Sequence, residues 1–503
     1  MRCLLINTLD PWQKGTRPLL TSLSLAYLAG FLLEKGHQVK INQREVEFIR
    51  NRFNIDRVNE KMKRLAKEFK PHVIGFTATS ATIGDLLNSA KILRRVVPGA
   101  LFVCGGPHVS ALPEETLRQA PYLDVAVIGD GEEAMADLCS GVSPGRVKGI
   151  AHQTENGPVR TERRVFKKDL DFLPYPARHL LNMDFHTSRT SAVIPNLTLR
   201  TTTIVSSRGC PFSCSYCAES RQKIGMRWHS PDYVISEIEH LLSNYRFEGL
   251  YFIDSMFEYN RKRAEEICRL MIKLKFNKKF VWSVQARATS MDREFLTLMK
   301  EAGCRQIEYG FESGSQKILD AMGKKASVDT GVRIAELTRQ CGIRVFANMI
   351  FGYPGETEED LDQSFRFIEE IRPDAIGAYQ LEAYPGTALY EQLVNEGKLP
   401  LHYGQAGCDW SKVEIQRHIR HLNLSSIPDE IFAKKMEVFR RRFIGPLTTA
   451  DLLKNMPLRS FLMPANLARA AVKTFRQPSR FLKVSSMMIR KAYSKYQNPK
   501  LLP

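Results

Sequence analysis

Three of the ten cysteines stand close together in the chain, at Cys210, Cys214 and Cys217. Three thiolates with the spacing C-x3-C-x2-C on one tight loop can hold three irons of a 4Fe-4S cube. Because no fourth cysteine stands nearby, the fourth iron is left open to an exchangeable ligand. The alternatives are an inert cysteine-rich loop or a structural zinc site, although zinc favours a fourth Cys or His at familiar spacing. The spacing predicts an iron-sulfur cluster that can do chemistry.

The residues around these cysteines carry a family resemblance. The segment Arg208-Gly209-Cys210-Pro211-Phe212-Ser213-Cys214-Ser215-Tyr216-Cys217 resembles the cluster loop of the radical S-adenosylmethionine superfamily. The resemblance implies that the open iron binds the amino and carboxylate groups of S-adenosylmethionine. Reductive cleavage then gives a 5′-deoxyadenosyl radical, which removes hydrogen from an unactivated carbon. Tyr216 matches the family's aromatic beside the adenine, and a loop-packing aromatic is the alternative.

Further residues resemble family positions at the ends of successive strands. Asp254 is expected to face the amino group of S-adenosylmethionine. Arg287 resembles a position whose guanidinium binds a carboxylate through two hydrogen bonds. Glu312 lies nearest the barrel mouth and on the same strand face as Glu308 and Gly310. A solvated surface charge is the alternative for these side chains. Gly352 belongs to a Gly-Tyr-Pro-Gly turn that resembles the family's adenine-side segment.

The first part of the chain resembles the cobalamin-binding unit found upstream of one branch of these enzymes. The resemblance is carried by segments 75–80, 104–108 and 128–132. It implies that cobalamin binds to Thr77, Ser80, Gly105 and Gly106, although Gly and Thr after parallel strands also serve as plain turns. The family's Asp-x-His-x-x-Gly motif has Trp12 in place of its histidine, so no imidazole from that loop is expected at cobalt. His108 is the alternative corrin neighbour.

The elements that position these residues alternate between strand-like and helical runs. Residues 1–140 show a doubly wound βαβ pattern, which predicts a Rossmann-like domain. The resemblance given above implies that this domain binds cobalamin. Residues 141–200 are Pro-rich and indicate a linker. Residues 201–400 alternate six times, which predicts a partial (β/α)6 TIM-like barrel. The resemblance of the cysteine segment implies that this barrel is the radical S-adenosylmethionine core. Residues 401–503 are predicted to form a helical basic extension, so the fold class is α/β.

Length and composition limit the classes of protein. The 503 residues suggest two or three domains, and 43% hydrophobic with 25% charged residues is ordinary for a globular chain. The longest apolar run, at 19–33, is too short to span a bilayer. The N-terminus lacks the order of a secretory signal, so we expect a cytoplasmic protein whose seven scattered cysteines are thiols.

The net charge of +19 is concentrated at the C-terminus, where residues 401–503 hold 19 Lys or Arg against 6 Asp or Glu. From Arg440 onward these cations interleave with Phe, Leu and Met. This pattern suits a peripheral helix on an anionic inner membrane face. RNA phosphates, or helices packed on the barrel, are the alternatives.

The sequence therefore predicts a radical S-adenosylmethionine enzyme that methylates an unactivated carbon of a hydrophobic or lipid-like small molecule with cobalamin. Its expected cofactors are a 4Fe-4S cluster, S-adenosylmethionine and cobalamin, and its expected reductant is flavodoxin or ferredoxin. Ring formation or rearrangement without methyl transfer is one alternative. RNA modification through the basic tail and a non-catalytic iron-sulfur scaffold are the others.

Overall fold

The computed structural model describes residues 1–10, 23–190, 193–195, 197–221, 225–289, 291–399, 403, 408–411 and 423–444. The first domain is built on a seven-stranded sheet with the order β2-β1-β3-β4-β5-β6-β7. Its strands are β1 (Arg2–Asn7), β2 (Gln38–Gln43), β3 (Val73–Thr77), β4 (Leu101–Gly105), β5 (Val125–Val127), β6 (Ile150–His152) and β7 (Val159–Arg160). The first five run parallel, and β6 and β7 add antiparallel.

Helices cover both faces of this sheet, and they are α1 (Leu23–Glu34), α2 (Arg44–Arg50), α3 (Ile55–Phe69), α4 (Ile83–Val96), α5 (Pro107–Ala111), α6 (Pro113–Gln119) and α7 (Glu132–Cys139). The central strands are apolar on both sides because helices bury both of their faces. Asn54 caps α3 by accepting a hydrogen bond from the backbone of Arg57 at 3.0 Å. The carboxyl ends of β1, β3 and β4 meet at one edge of the sheet, where the predicted cobalamin segments lie.

The second domain is a curved sheet of six parallel strands with one antiparallel edge strand, in the order β16-β15-β14-β13-β12-β9-β8. Its strands are β8 (Arg189–Thr190), β9 (Leu199–Ile204), β12 (Gly249–Phe252), β13 (Val281–Ala286), β14 (Cys304–Glu312), β15 (Arg344–Phe351) and β16 (Ala375–Gln380). A small antiparallel pair, β10 (Ser207–Arg208) and β11 (Arg227–Trp228), flanks the cysteine loop. The predicted α/β fold with a partial barrel is confirmed.

The outer face of this barrel is covered by helices. They are α9 (Pro231–Asn244), α10 (Arg261–Lys273), α11 (Arg293–Glu301), α12 (Gln316–Ala321), α13 (Val328–Gln340), α14 (Glu358–Ile371) and α15 (Ala388–Asn395). Alternate residues of the strands, such as Trp282 and Val345, are fully buried against them. A capping box between Thr357 and Asp360 begins α14.

The segment predicted as a linker, 141–200, contains more regular structure than its proline content indicates. β6 and β7 extend the first sheet, the short α8 (Met183–His186) follows, and β8 joins the second sheet. Prolines at 144, 174 and 176 separate these elements and do not interrupt them. The first sheet therefore continues to Arg160, past the predicted boundary at residue 140.

The C-terminal region beyond residue 400 is described only in part. Trp410 packs in the core of the first domain, and α16 (Asp429–Phe439) packs on the barrel through Phe432 and Phe439. The basic residues from 445 to the end lie outside the described residues. None of the helices in the described ranges combines the length and the apolar composition that a bilayer crossing requires.

Candidate active site

The three clustered cysteines lie on the loop that connects β10 to β11. Cys214 is buried, whereas Cys210 and Cys217 are half-buried. The backbone N–H of Cys217 donates to the carbonyl of Cys214 at 3.2 Å. In the described part of the chain, no three His, Cys, Asp or Glu side chains converge on a position for a single metal ion. In a 4Fe-4S cube each thiolate binds a different iron, so a cube does not require its three sulfurs to converge on one ion.

The barrel holds this loop at several points. Ser215 donates its backbone N–H to the carbonyl of Met322 at 3.0 Å, and its hydroxyl lies 2.8 Å from that of Tyr353. The carbonyl of Ser215 accepts from the backbone of Leu389 at 2.9 Å. Gly209 has a φ of +91°, and a Cβ there would lie 2.4 Å from the carbonyl oxygen of Gly225. The loop conformation therefore requires glycine at this position.

Glu312 and Tyr216 meet at the mouth of the barrel. A register shift lies between Gly310 and Glu312, and Glu312 has a left-handed φ of +67°. Its carboxylate accepts from Nζ of Lys324 at 2.6 Å. Burial and the neighbouring Glu312 raise the pKa of the Tyr216 phenol far above its usual range. A non-glycine residue in this conformation is uncommon and is often found where function demands it.

Arg287 lies beside the cluster loop, with its guanidinium 3.8 Å from the centre of the Phe212 ring. The Arg287 backbone N–H donates to Oε1 of Glu258 at 2.8 Å, and burial raises the pKa of Glu258 to about 7. The Nε and Nη2 atoms of Arg287 are buried and have no hydrogen-bond partner among the described residues. Buried guanidinium N–H groups that lack acceptors are costly, so this position fits a ligand that brings a carboxylate, as S-adenosylmethionine does.

Asp254 is used inside the protein. Its carboxylate accepts from the backbone and hydroxyl of Ser206 at 2.7 and 2.5 Å and from the hydroxyl of Ser207 at 2.8 Å. It is 1% exposed, while its neighbours Ile253 and Ser255 line the cavity described below. The structure therefore assigns Asp254 to fixing the start of the cluster loop, and its contact with S-adenosylmethionine stays a prediction.

Gly352 closes β15 with a φ of +88° and donates its backbone N–H to Glu356 at 2.6 Å. A Cβ on Gly352 would lie 3.4 Å from the ring of Phe432 in α16. The next residue, Tyr353, contacts Ser215 of the cluster loop. Gly352 is therefore adjacent in sequence to a residue that contacts the cysteine loop. Its role beside adenine stays a prediction.

A cavity of about 650 Å³ lies between the first domain and the cluster loop. Thr77, Gly105 and Gly106 line it from the strand ends, and Gly209 and Cys210 line it from the opposite side. A Cβ on Gly106, which has a φ of +99°, would lie 2.6 Å from the carbonyl oxygen of Ala78. Small residues and hydroxyls at this edge fit the approach of a planar ring such as a corrin.

Ser80 and His108 do not line this cavity, unlike the expectation for both. The Ser80 hydroxyl lies 2.9 Å from Nδ1 of His108, and the ring of His108 packs edge-on against Tyr403 and Trp410. Ser80 belongs to the turn before α4 and not to a strand, so strand-end position alone did not predict its direction. Its role toward cobalamin remains a prediction, and Trp12 lies outside the described residues.

An ionic contact between the domains was not predicted from the sequence. Arg208, two residues before Cys210, pairs with Asp130 at 3.0 Å and with Glu132 at 2.8 Å. Arg227 pairs with Asp130 at 2.6 Å. Burial opposes ionisation of Asp130, but the two guanidinium groups outweigh it and lower the pKa of this carboxyl. We call these four residues the interdomain ion cluster.

Comparisons with known proteins agree with this geometry. The model of the radical SAM superfamily matches residues 204–368, and that of the B12 binding domain matches residues 17–139. An uncharacterized methyltransferase of Pyrococcus horikoshii is 32% identical over 378 residues, covering 74% of this chain and 78% of that protein. The chain belongs to the cobalamin-binding radical SAM family. It is therefore an enzyme. Its cofactors are the predicted ones, namely a 4Fe-4S cluster, S-adenosylmethionine and cobalamin.

Two further relatives extend the comparison. The anaerobic magnesium-protoporphyrin IX monomethyl ester cyclase of Rubrivivax gelatinosus is 28% identical over 382 residues, covering 73% of this chain and 65% of that protein. The solved structure of a radical S-adenosylmethionine methyltransferase from Kitasatospora setae, with cobalamin and a [4Fe-4S] cluster bound, superposes with a TM-score of 0.66. It is 19% identical, and the match covers 80% of this chain and 79% of that one, so it shows the shared fold.

Proposed function

We propose that this radical SAM enzyme transfers a methyl group to an unactivated carbon of a hydrophobic or lipid-like small molecule. The observation that carries the proposal is the shared cavity, because Thr77, Gly105 and Gly106 of the B12-binding domain face Cys210 across it. A cobalamin held there and a cluster on the cysteine loop would share one space. The methyltransferase from Pyrococcus horikoshii supports the same class of reaction.

The chain's own residues hold and orient the reactants. Cys210, Cys214 and Cys217 would bind the cluster, and Arg287 would bind the carboxylate of S-adenosylmethionine. When bound, these cofactors supply hydrogen abstraction from carbon and a transferable methyl group. The hydrogen bonds of Ser215 to Tyr353 and Met322 keep the cysteine loop on the barrel mouth.

The interior of the barrel supports an apolar substrate body. Phe346 and Ile350 of β15 alternate with residues that pack against the outer helices, and both are only half-buried. Tyr379 of β16, in register with Ile350, is 55% exposed. These side chains leave apolar surface on the inner wall of the barrel, where a hydrophobic substrate can lie.

The test is anaerobic reconstitution with S-adenosylmethionine whose methyl group is trideuterated. We expect about four irons per chain, as a 4Fe-4S cluster requires, together with release of 5′-deoxyadenosine and a product that carries the deuterated methyl group. The Cys214→Ala variant should lose iron and cleavage together, and cleavage by that variant would refute the cluster assignment. The visible spectrum after cobalamin supplementation tests the first domain independently.

Ring formation without methyl transfer is the second candidate, because the relative from Rubrivivax gelatinosus is named as a cyclase. The same assay separates the two reactions. Cyclisation predicts 5′-deoxyadenosine release with no deuterium in the product, whereas methylation predicts deuterium in it.

Two partners complete the proposal. A flavodoxin or ferredoxin would reduce the cluster, and the basic residues beyond Arg440 would bind anionic lipid, which would place a cytoplasmic protein on the inner membrane face. Flotation of the full chain with phosphatidylserine vesicles tests the second point. Binding to RNA in a gel shift, without flotation, would favour nucleic acid instead.

A further inference from the structure

The inner face of the barrel carries a connected set of polar side chains below the cluster loop. The hydroxyl of Tyr251 donates to Oε2 of Glu308 at 3.0 Å, and Nε2 of Gln285 donates to the Tyr251 oxygen at 2.7 Å. Gln285 is in register with Glu308, while the alternate residues Val284 and Ile307 are buried against the outer helices. Tyr251, Gln285 and Glu308 therefore share the inner face.

The layer beneath contains buried polar atoms that lack partners. Thr203, Tyr251, Ser283 and Gln306 are in register across four neighbouring strands. Within the described ranges, Oγ1 of Thr203, Oγ of Ser283 and Oε1 of Gln306 have no hydrogen-bond partner, although these residues are at most 2% exposed. Buried polar atoms are normally satisfied, so this layer points to a polar ligand group or ordered water. All three oxygens can accept a hydrogen bond.

The two glutamates of the inner face differ in their charge balance. Glu312 is neutralised by Lys324, whose Nζ lies 2.6 Å away. Glu308 forms no ion pair with any cation in the described part of the chain, and its hydrogen-bond partners are Tyr251 and Gln306. Burial raises the pKa of Glu308 to about 7. A carboxyl kept at this cost to stability is often functional, since proteins retain strained or uncompensated groups mainly at their sites.

We propose that Glu308, with Tyr251 and Gln285, anchors the substrate by binding a hydrogen-bond-donating group, either a hydroxyl or an ammonium. This inference rests on the proposed function, in which the reacting carbon lies near the cluster loop. Glu308 precedes Glu312 at the mouth by four residues, which is less than about 13 Å because the register shift between Gly310 and Glu312 shortens this part of β14. The substrate is therefore amphiphilic, with its donor group on the order of 10 Å from the carbon that reacts.

The experiment uses the reconstituted holoenzyme, trideuterated S-adenosylmethionine and a small-molecule extract of the cells that make the protein. Extract-stimulated release of 5′-deoxyadenosine reports substrate binding for any radical reaction, and deuterium in the product reports methyl transfer. Glu308→Gln should need at least tenfold more extract for half-maximal stimulation. Tyr251→Phe, which keeps the ring, should show a smaller shift in the same direction. Glu294→Gln, on an exposed face of α11, is the matched control and should behave as the wild type.

Chemical blocking of the extract identifies the donor. If the donor group is an ammonium, selective acetylation of the amines in the extract abolishes the stimulation of 5′-deoxyadenosine release. If the stimulation is lost only after the hydroxyls are also acetylated, the donor group is a hydroxyl. Stimulation that survives both treatments, or that is equal in the wild type and Glu308→Gln, overturns the anchor. A product without deuterium whose formation still depends on Glu308 refutes methyl transfer and supports the anchor. Iron content measured for each variant shows that it has folded.

Discussion

Arg287 has the unsatisfied hydrogen-bond donors that a carboxylate ligand would need. Its Nε and Nη2 are buried without partners among the described residues, while its backbone is fixed by Glu258. We expect Arg287→Lys to raise the KM for S-adenosylmethionine about 10- to 100-fold, because a charge-assisted bond contributes about 1.5–3 kcal/mol and lysine lacks the planar fork. The measurement is 5′-deoxyadenosine release against S-adenosylmethionine concentration.

Arg293→Lys is the control for this change, since Arg293 is exposed and its guanidinium contacts Gln340 on the outer surface. An unchanged KM in Arg287→Lys, with normal iron content, would show that another group binds the carboxylate. The stacking of Arg287 on Phe212 would then be its main contribution.

The titration of Glu308 should make the free energy of unfolding depend on pH. Burial raises its pKa from about 4.5 to about 7, so the folded protein keeps a proton that the unfolded chain has lost between these values. Wild-type stability should therefore fall as pH rises through this window. Glu308→Gln avoids the loss and should be more stable at pH 8 by roughly 3 kcal/mol, with no difference near pH 4. Denaturant unfolding at several pH values measures this.

The comparison for Glu308 is again Glu294→Gln, which makes the same chemical change at an exposed position of α11. The groups that contact Glu308 on neighbouring strands are neutral in this range, since burial also raises the pKa of the Tyr251 phenol. A difference that is constant from pH 4 to pH 8 would contradict the perturbed titration of Glu308.

At the residue scale the sequence predicted that the three cysteines share one loop, because their spacing is local, and their role as cluster ligands stays a prediction. Lys324, which neutralises Glu312, and Arg208, which pairs with the first domain, were not predicted to do so. Their partners are 12 and more than 70 residues away, and no spacing rule connects them. For Ser80 a contact with the cavity was predicted and is not seen, since its side chain points toward His108 and away from the cavity.

At the scale of elements, the cysteine loop depends on one glycine. Gly209 combines a left-handed φ with a close approach to the backbone of Gly225. We expect Gly209→Ala to destabilise the loop by about 1–3 kcal/mol and to lower iron retention, because both the conformation and the contact must change. Iron per chain after reconstitution and gel filtration measures the effect.

Gly36→Ala is the matched control for the loop, since Gly36 has a φ of +79° but nothing within 4 Å of the added Cβ. It should lose some stability and no iron. Equal iron retention in Gly209→Ala and wild type would mean that the loop can form without glycine at this position.

The strands were predictable because both sheets repeat a simple alternation. The barrel has six parallel strands, as the six-fold alternation over residues 201–400 predicts, and β9 begins two residues before this range. The antiparallel strands β6, β7 and β8 were missed, since they are two or three residues long and lie in a proline-rich segment. Short edge strands are set by pairing with a neighbour and carry little periodicity of their own.

At the scale of the whole molecule, the cavity depends on the junction of the two domains, because both domains contribute its walls. Arg178, within the segment predicted as a linker, pairs with Glu237 of α9 at 2.7 Å and donates to the carbonyl of Thr203. Tyr27 of α1 donates to the same glutamate at 3.3 Å. The interdomain ion cluster lies on the other side of Tyr27, whose ring faces Arg208. The domains are thus joined by buried charges as well as by apolar contacts.

Asp130 is the residue on which this junction can be tested. It accepts from both Arg208 and Arg227, so Asp130→Asn leaves two poorly exposed guanidinium groups without their shared anion. Removing one partner of a buried ion pair typically costs about 3–5 kcal/mol. We expect denaturant unfolding to shift by roughly 3 kcal/mol and to separate into two transitions, with lower cobalamin retention, because the cavity wall is shared. Asp137→Asn, whose partner Arg164 lies in the same region and whose carboxylate is 41% exposed, should cost under about 1 kcal/mol.

The pH dependence of the same contact supplies an independent check. Although burial opposes its ionisation, Arg208 and Arg227 lower the pKa of Asp130, so its contribution is complete above the unfolded value near 3.9 and is lost only as pH falls below it. The difference between wild type and Asp130→Asn should therefore be constant from pH 5 to pH 8. A single unfolding transition in the variant, or a difference that is already lost as pH falls to 5, would mean that the ion pairs of Asp130 do not stabilise the junction.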